Sequence, residues 1–425
     1  MINRPIYLEQ LKNRMWNDSI KVITGIRRCG KSFLLNNIFK EYLIESGISE
    51  KNIICFSFDS ALDLSKIGED LIELQKEKRK VDYKKFVNYL ETLISSKGQY
   101  YIFLDEVQLL DAFEFVLNGY LTRGNFDIYV TGSNSKFLSS DVITEFRGRG
   151  DEVHVLPLSF SEFFDYKKGS IEKRIDEYMT FGGLPRTVLA KTNEAKVKYL
   201  SDQLEKTFIK DVIDRNSIKN TEELNELIEV LASGISSPTN PLRLENTFRS
   251  EKNVKLTADT ITNYIKYLQD AFIIKKVLKY NIKGKSYIST PFKIYFEDVG
   301  LRNAKLDFRQ VEYTHLMENV IYNELRYRGY NVDVGVVEIR EHNIRKQLEV
   351  DFIANNGSNR YYIQAAYDIP DEEKLQQEVK SLDNIPDSFK KVIVINRDII
   401  PKHNNSGYLF ISLRDFLTDP QSIGR

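Results

Sequence analysis

Between Lys21 and about Ser159, short apolar segments alternate with helical patterns. Near-continuous apolar strands separated by helices are typical of a parallel sheet covered on both faces. The pattern therefore predicts an α/β domain with a parallel sheet here. The segments expected to form its strands are KVITG, NIICFSFD, YYIFLDEV, FDIYVTGS and DEVHVLPLS.

Beyond this region the pattern becomes helical and then mixed. Helices are expected from Phe160 to about Asn225, interrupted by FGGLP. Next, the apolar period of LTADTITNYIKYLQDAFIIKKV predicts a helix that runs into a strand, and YNIKGKSYIS resembles a hairpin. The last region opens with the helix LMENVIYNELRYRG and continues as strands with one further helix, DEEKLQQEVKSL.

A glycine-rich loop joins the strand KVITG to the helical pattern FLLNNIFKEYLIE. This is the complete G-x-x-x-x-G-K-S motif in its strand–loop–helix context. In such a loop backbone N–H groups surround phosphates at the positive end of the helix, Lys31 reaches the β- and γ-phosphates, and the Ser32 hydroxyl binds magnesium. The residues expected to contact a nucleotide are Gly25, Ile26, Arg27, Arg28, Cys29, Gly30, Lys31, Ser32 and Phe33.

An acid pair, Asp105 and Glu106, ends the predicted strand YYIFLDEV. We expect Asp105 to hold magnesium through its water shell and Glu106 to orient and deprotonate the attacking water. A strand that ends in two acids is only moderately specific by itself. Downstream of a phosphate loop, however, the pair strongly indicates nucleotide hydrolysis.

Small polar residues and arginines follow the next predicted strand. Ser133 and Asn134 stand where they could touch the γ-phosphate or the attacking water, or they belong to an ordinary turn. Arg147 or Arg149 could stabilise the transition state in a neighbouring subunit, which requires a homo-oligomer, or each belongs to a salt-bridged surface loop. The sequence leaves both alternatives open.

Composition restricts the other classes of function. The 425 residues suggest two to four domains, and 61 basic residues balance 61 acidic ones, so any attraction to nucleic acid or membrane must be local. Two cysteines are too few for a disulfide framework, and no apolar run approaches the roughly 20 residues of a spanning helix. We therefore expect a cytoplasmic protein with no membrane partner.

Several motifs, in their order along the chain, resemble those of bacterial and archaeal AAA-fold ATPases with a carboxy-terminal domain of unknown function, restriction-endonuclease-like in part. The resemblance covers nearly the whole chain and implies ATP and Mg²⁺ as ligands. It also implies a helical lid in which Arg186 either senses the γ-phosphate or begins a helix without a ligand. The matching blocks include the phosphate loop, YYIFLDEVQ, VTGSNS, FGGLPR, IYFEDVGLRN, MENVIYNELRYRGYNV and LEVDFIA…YYIQAAY.

Four parts follow from this resemblance. We expect a P-loop ATPase core at 1–159, a helical lid and linker at 160–225, a winged-helix domain at 226–310 and a degenerate restriction-endonuclease-like domain at 311–425. Residues 240–293 hold eleven basic side chains against four acidic ones. This basic segment either contacts DNA phosphates or is a solvated face on a module that binds protein.

The segment LEVDFIANNGSNRYYIQAAY predicts two strands around a turn, with Glu349 and Asp351 on one face of the first. A restriction-endonuclease-type site needs an aspartate on the first strand and an acid-x-lysine on the second. Asp351 fits, but Gln364 and Ala366 supply neither the second carboxylate nor the cation. The sequence therefore predicts the remnant of a nuclease site.

Other side chains could migrate into this remnant. Glu318 and Glu324 lie on the preceding predicted helix, and Lys374 lies on the following one. Nothing in the sequence requires any of them to do so.

These observations predict a magnesium-dependent ATPase that acts as a nucleotide-driven switch on a protein or nucleic-acid partner. One alternative is an ATP-regulated nucleic-acid enzyme in which the tail cleaves its substrate. Another is a nucleotide-dependent binding module with negligible turnover.

Overall fold

The computed structural model describes residues 2–95, 98–132, 146, 148–252 and 256–424. The chain forms two units. The first comprises Met1–Leu156 and Asp270–Phe272, and the second comprises Pro157–Gln269 and Ile273–Arg425.

Five parallel strands form the sheet of the first unit, in the spatial order β2-β3-β4-β1-β5. All five coincide with the apolar segments of the sequence, so the predicted α/β class with a parallel sheet is confirmed. The first four strands are almost completely buried, as expected for a sheet covered on both faces. The strands are β1 (Ile20–Thr24), β2 (Ile53–Ser57), β3 (Tyr100–Asp105), β4 (Phe126–Thr131) and β5 (Gly150–His154).

Helices of the first unit connect these strands. The helix after β1 is continuous over residues 31–45 and begins at the lysine of the phosphate loop. A cluster of buried residues, including Ile102, Phe56 and Phe86, packs the strands against the helices. The helices are α1 (Pro5–Lys12), α2 (residues 31–45), α3 (Ala61–Lys66), α4 (Leu71–Glu77), α5 (Tyr83–Leu93) and α6 (Phe113–Thr122).

The second unit begins with helices, as the pattern after Phe160 predicts. No helix in the described ranges has the length and apolar composition needed to cross a membrane. The helices of this unit are α7 (Phe160–Lys167), α8 (Ile171–Phe181), α9 (Pro185–Leu189), α10 (residues 193–216), α11 (Thr221–Ser233), α12 (residues 241–252), α13 (Ala258–Asp270), α14 (Val299–Lys305), α15 (Tyr313–Tyr327), α16 (Glu372–Asp383) and α17 (Leu413–Thr418).

Eight strands form one mixed sheet in the second unit, in the order β12-β13-β11-β10-β9-β8-β6-β7. The hairpin β6–β7 pairs with β8 in parallel, so the segment predicted as a winged helix shares a sheet with the nuclease-like tail. The strands are β6 (Ile274–Asn281), β7 (Ser286–Phe296), β8 (Asn331–Glu341), β9 (Ile344–Asn356), β10 (Asn359–Ala366), β11 (Lys390–Ile395), β12 (Lys402–His403) and β13 (Leu409–Ser412).

Polar side chains of the block IYFEDVGLRN hold the helices of the second unit together. Asp298 accepts a hydrogen bond from the Gly183 backbone N–H at 2.7 Å, and Asn303 donates to the Met179 carbonyl at 3.0 Å. A Cβ on Gly182 would lie 2.2 Å from Asp298 Oδ1, so only glycine fits there. The FGGLP segment is therefore a turn between α8 and α9, and the block IYFEDVGLRN holds it in place.

Candidate functional site

The phosphate loop leaves the carboxyl end of β1 through two glycines that no other residue replaces easily. Gly25 has φ 131°, and a Cβ there would lie 2.1 Å from the Val155 carbonyl oxygen. Gly30 has φ 102° immediately before α2. These values lie in the left-handed region that glycine adopts without steric cost. The loop is thus closed tightly against the end of β5.

Lys31 lies inside this loop. Its Nζ donates to the backbone carbonyls of Gly25 at 2.8 Å and Ile26 at 3.1 Å, and the residue is buried. The ammonium group therefore lies between the two ends of the loop, where phosphate oxygens could replace the carbonyls as its partners. Ser32, the next residue of α2, is half-buried.

The loop side chains divide into two sets. Ile26 and Cys29 are fully buried, so these two residues can contact a nucleotide only through their backbone groups. Arg28 and Phe33 are exposed, and Arg27 is half-buried. The division follows from the chain packing Ile26 and Cys29 into the core of the first unit.

The acid pair stands at the same edge of the sheet as the phosphate loop, because β3 and β1 flank β4 in parallel. Asp105 accepts a hydrogen bond from the Thr131 hydroxyl, and that hydroxyl accepts one from the Glu106 backbone N–H at 3.3 Å. Thr131 ends β4 and is buried. Its hydroxyl therefore connects the Asp105 carboxylate with the Glu106 backbone.

Sequence reasoning did not find Thr131 as a site residue. The available signal was a polar residue at the carboxyl end of an apolar strand. It became informative only when β4 was placed directly beside β3.

Glu106 follows Asp105 in a half-buried position. Burial raises the pKa of its carboxyl group, and the Gln108 side-chain amide, which donates to it, and the Lys31 charge act in the opposite direction. Its backbone has φ 52°, a conformation that is uncommon for a non-glycine residue and often found at functional sites. The Lys31 charge is thus one of the groups that act on the Glu106 carboxyl group.

The remaining predicted site residues fall outside the described residues, at the opposite edge of the sheet or in the second unit. Ser133, Asn134 and Arg147 belong to the part of the chain that the structure does not describe. Arg149 is exposed and precedes β5, so it lies at the amino edge of the sheet, opposite the phosphate loop. Arg186 belongs to the second unit, where its guanidinium lies 5.5 Å from the centre of the Tyr199 ring. Its sensing role stays a prediction.

The second unit contains a buried cluster of charged groups around the predicted nuclease remnant. Lys293 Nζ lies 2.8 Å from Glu318, 2.7 Å from Glu349 and 3.9 Å from Asp351, measured to carboxylate oxygens. The Tyr295 hydroxyl donates to Glu318 at 2.6 Å. We call the following set the Lys293 cluster: Lys279, Lys293, Tyr295, Glu318, Glu349 and Asp351.

The charged groups of the Lys293 cluster shift each other's pKa values. Burial acts to lower the pKa of Lys293, but the carboxylates of Glu318, Asp351 and Glu349 outweigh it and raise that pKa. Burial and the Glu318 charge raise the pKa of Asp351 to about 8. The Ala365 backbone N–H, which Asp351 Oδ2 accepts at 2.8 Å, acts in the opposite direction and lowers that pKa.

Of the three side chains that could join the predicted nuclease site, Glu318 is the one that the structure places there. Glu324 pairs instead with Arg328 at 2.8 Å. Lys374 pairs with Glu378 at 2.6 Å, and Glu378 also lies 3.4 Å from the Gln364 amide nitrogen.

The interpretation of residues 240–293 as a uniformly solvated basic surface is wrong at two positions. Lys279 and Lys293 are buried in the Lys293 cluster, because strands β6 and β7 turn them towards the acids of β9 and α15. Arg249 remains exposed and pairs with Glu245 at 2.6 Å. The remaining basic residues still allow both the DNA and the protein interpretation.

Comparison with known proteins places the chain in a family. Residues 17–164 match the model of an AAA domain, and residues 172–312 match that of a domain of unknown function. The chain is 33% identical over 402 residues to an uncharacterised protein of Haemophilus influenzae, covering 93% of this chain and 94% of that one. The two proteins belong to one family. Its amino-terminal part is an AAA-fold P-loop domain, as the motifs predict.

Other similarities are more distant. An uncharacterised Methanocaldococcus jannaschii protein is 28% identical over 431 residues, covering 98% of this chain and 88% of that one. The Aeropyrum pernix ORC1 protein in complex with DNA is 12% identical, covers 72% of this chain and 92% of that chain, and gives a TM-score of 0.31. AMPPCP-bound DnaA from Aquifex aeolicus is 16% identical, with coverages of 63% and 88% and a TM-score of 0.32. TM-scores this low support no functional argument.

Lys293 should be important for the stability of the second unit. Lys293→Met leaves the buried Glu318 carboxylate without its cation, whereas the half-buried Glu349 keeps its pair with Lys279. We therefore expect the free energy of unfolding in urea to fall by about 3–5 kcal/mol. Lys266→Met, which changes an exposed lysine of α13, is the control. Equal unfolding midpoints for the two variants would show that the cluster contributes no stability.

Asp351 should make the stability of the second unit depend on pH. Its carboxyl group keeps its proton up to about pH 8 in the folded protein, against an ordinary value of 3.8. The contribution of protonated Asp351 to the free energy of unfolding is therefore fully present below about pH 4 and is lost as the pH rises to about 8. Asp351→Asn should flatten the urea midpoint over this range, and a variant that retains the parental slope would assign the titration to another group.

Proposed function

We propose that this protein binds ATP in the phosphate loop and hydrolyses it with Mg²⁺, using Glu106 as the base. The observation that carries the proposal is the meeting of Lys31, Thr131 and the Asp105–Glu106 pair at one edge of the AAA sheet. A raised carboxyl pKa, as found for Glu106, also suits a group that must accept a proton near neutral pH.

Each group would have a distinct part in the reaction. The loop amides and Lys31 would bind the phosphates, and Lys31 would exchange its bonds to the loop carbonyls for bonds to phosphate oxygens. Glu106 would orient the attacking water and accept its proton. Thr131 would keep Glu106 beside Asp105 while this happens.

Magnesium fits this arrangement. Ser32 and Asp105 are half-buried oxygen donors at the loop and at the end of β3. These two residues would hold the ion, which would screen the negative charge of the phosphates. Among the described residues, no group of three or more His, Cys, Asp or Glu is placed to hold a metal ion by itself.

The hydrolysis would drive a switch that acts on a protein or nucleic-acid partner. The remaining basic residues between 240 and 293 are the proposed contact for DNA, and a homo-oligomer would allow an arginine to act between subunits. Phosphate release measured alone and with DNA, RNA and a cell extract tests this proposal. Stimulation without cleavage supports a switch, whereas tight ATP binding without phosphate release would support a binding module.

For the nuclease alternative, the structure adds one acid to the predicted site but places a lysine where the metal ion would bind. Glu318 joins Asp351 and Glu349, yet the ammonium group of Lys293 lies among the three carboxylates where a divalent cation would have to bind. Gln364 contributes a neutral amide only. We therefore propose that the tail has a structural or docking role.

With Mg²⁺ or Mn²⁺, the wild-type protein should leave single- and double-stranded DNA and RNA intact, with or without ATP. Gel electrophoresis after prolonged incubation checks this expectation. Metal-dependent cleavage that disappears in Asp351→Ala would instead establish a nuclease.

A further inference from the structure

Arg4 lies outside every nucleotide-binding motif, yet its side chain holds the phosphate loop. The residue is buried, and its guanidinium donates from Nη1 to the Cys29 carbonyl at 3.1 Å and from Nη2 to the Leu156 carbonyl at 2.8 Å. Cys29 immediately precedes Gly30 and Lys31. One side chain therefore connects the loop to the end of β5.

Neighbouring contacts add to this connection. The Arg4 guanidinium lies 4.6 Å from the centre of the Tyr7 ring, and the Tyr7 hydroxyl accepts the Leu156 backbone N–H at 2.9 Å. The Cys29 thiol donates to the Val155 carbonyl at 3.2 Å. Helix α1, the loop and residues 155–156 thus form one packed assembly within the first unit.

The bond to Cys29 determines the direction of the following amide. A peptide bond is planar and trans, so its N–H points opposite to its C=O. When Arg4 binds the Cys29 carbonyl, the Gly30 N–H points away from Arg4. Phosphate binding by such a loop depends on amides that are oriented before the ligand arrives.

We propose that Arg4 is a positioning residue for nucleotide binding, which orients the Cys29–Gly30 peptide and places a buried positive charge behind the phosphate loop. The inference rests on the proposed ATP function. Its effect would be on the phosphates shared by ATP and ADP, because Arg4 acts through the loop.

The test uses Arg4→Met, which keeps the apolar stem but removes the donors and the charge, and Arg4→Lys, which keeps the charge. Arg14→Met is the matched control, since Arg14 also follows the amino terminus but pairs with Asp151 at 3.0 Å. All proteins carry Cys55→Ser, which leaves Cys29 as the single cysteine. The measurements are ATP and ADP affinity by calorimetry and the rate of Cys29 alkylation without nucleotide.

Arg4→Met should weaken ATP and ADP binding about tenfold or more, which corresponds to the loss of one charge-assisted hydrogen bond. It should also accelerate Cys29 alkylation, and Arg4→Lys should lie between it and the parent. Arg14→Met should match the parent in both measurements.

Parental affinity and alkylation in Arg4→Met would overturn the proposal, even if the variant melted at a lower temperature. If the parent itself bound no nucleotide, the proposed function would fail, and the alkylation rates would still decide the role of Arg4. If Arg4→Met did not fold, unchanged affinity in Arg4→Lys, whose amine cannot bridge both carbonyls as the guanidinium does, would overturn the proposal.

Discussion

Replacing Lys31 by alanine should weaken ATP binding at least about 100-fold, as expected when one partner of a buried charged contact is removed. The variant should remain folded, because the hydrogen bonds of the Lys31 ammonium to described residues go to the Gly25 and Ile26 carbonyls of its own loop. Calorimetric titration with ATP and Mg²⁺, together with a thermal melt, measures both effects.

Lys40→Ala is the matched control for this experiment. Lys40 lies in the same helix, α2, and forms an exposed pair with Glu50 at 2.7 Å. It should retain parental affinity. An unchanged dissociation constant in Lys31→Ala would place the nucleotide elsewhere on the protein.

Glu106→Gln should reduce ATP turnover by about 10²- to 10⁴-fold, the usual contribution of a general base, and leave ATP affinity unchanged. The amide keeps the size of the side chain but cannot take the proton from water. Steady-state phosphate release and equilibrium binding separate the two effects. Glu41→Gln, an exposed acid of α2, is the control.

The pH profile offers a further check on Glu106. Since burial raises the pKa of its carboxyl group, turnover by the parent should fall as the pH drops through that raised value. Parental turnover in Glu106→Gln would mean that another group accepts the proton.

The local features of the AAA domain could be predicted from the sequence. Four of its five strands are nearly continuous apolar segments, which is typical of buried parallel strands separated by helices, whereas the edge strand β5 has one buried residue, Val153. The phosphate-loop residues are consecutive, so their chemistry is visible without a fold. Asp105 and Glu106 were found for the same reason, as a polar pair at the end of one strand.

The second unit was harder to predict because its contacts join distant segments. Lys293 appeared in the sequence as one of eleven basic residues in 240–293, and Glu318 as one of two acids on a predicted helix. Only the pairing of β7 with β6, β6 with β8 and β8 with β9 brings Lys293 to the acids of β9. Hydrophobic period specifies which residues form a strand, but it carries little information on which strand lies beside it.

The sequence by itself determined the phosphate loop, the acid pair, the α/β class and the absence of an acid-x-lysine motif on the strand that carries Gln364 and Ala366. Each depends on residue types that are close together along the chain. The tertiary structure decided that Thr131 joins the acid pair, that Arg4 supports the loop and that Lys293 lies among three carboxylates. These side chains meet because burying the apolar faces of strands and helices brings together segments up to about 150 residues apart, as in the 152-residue separation between Arg4 and Leu156.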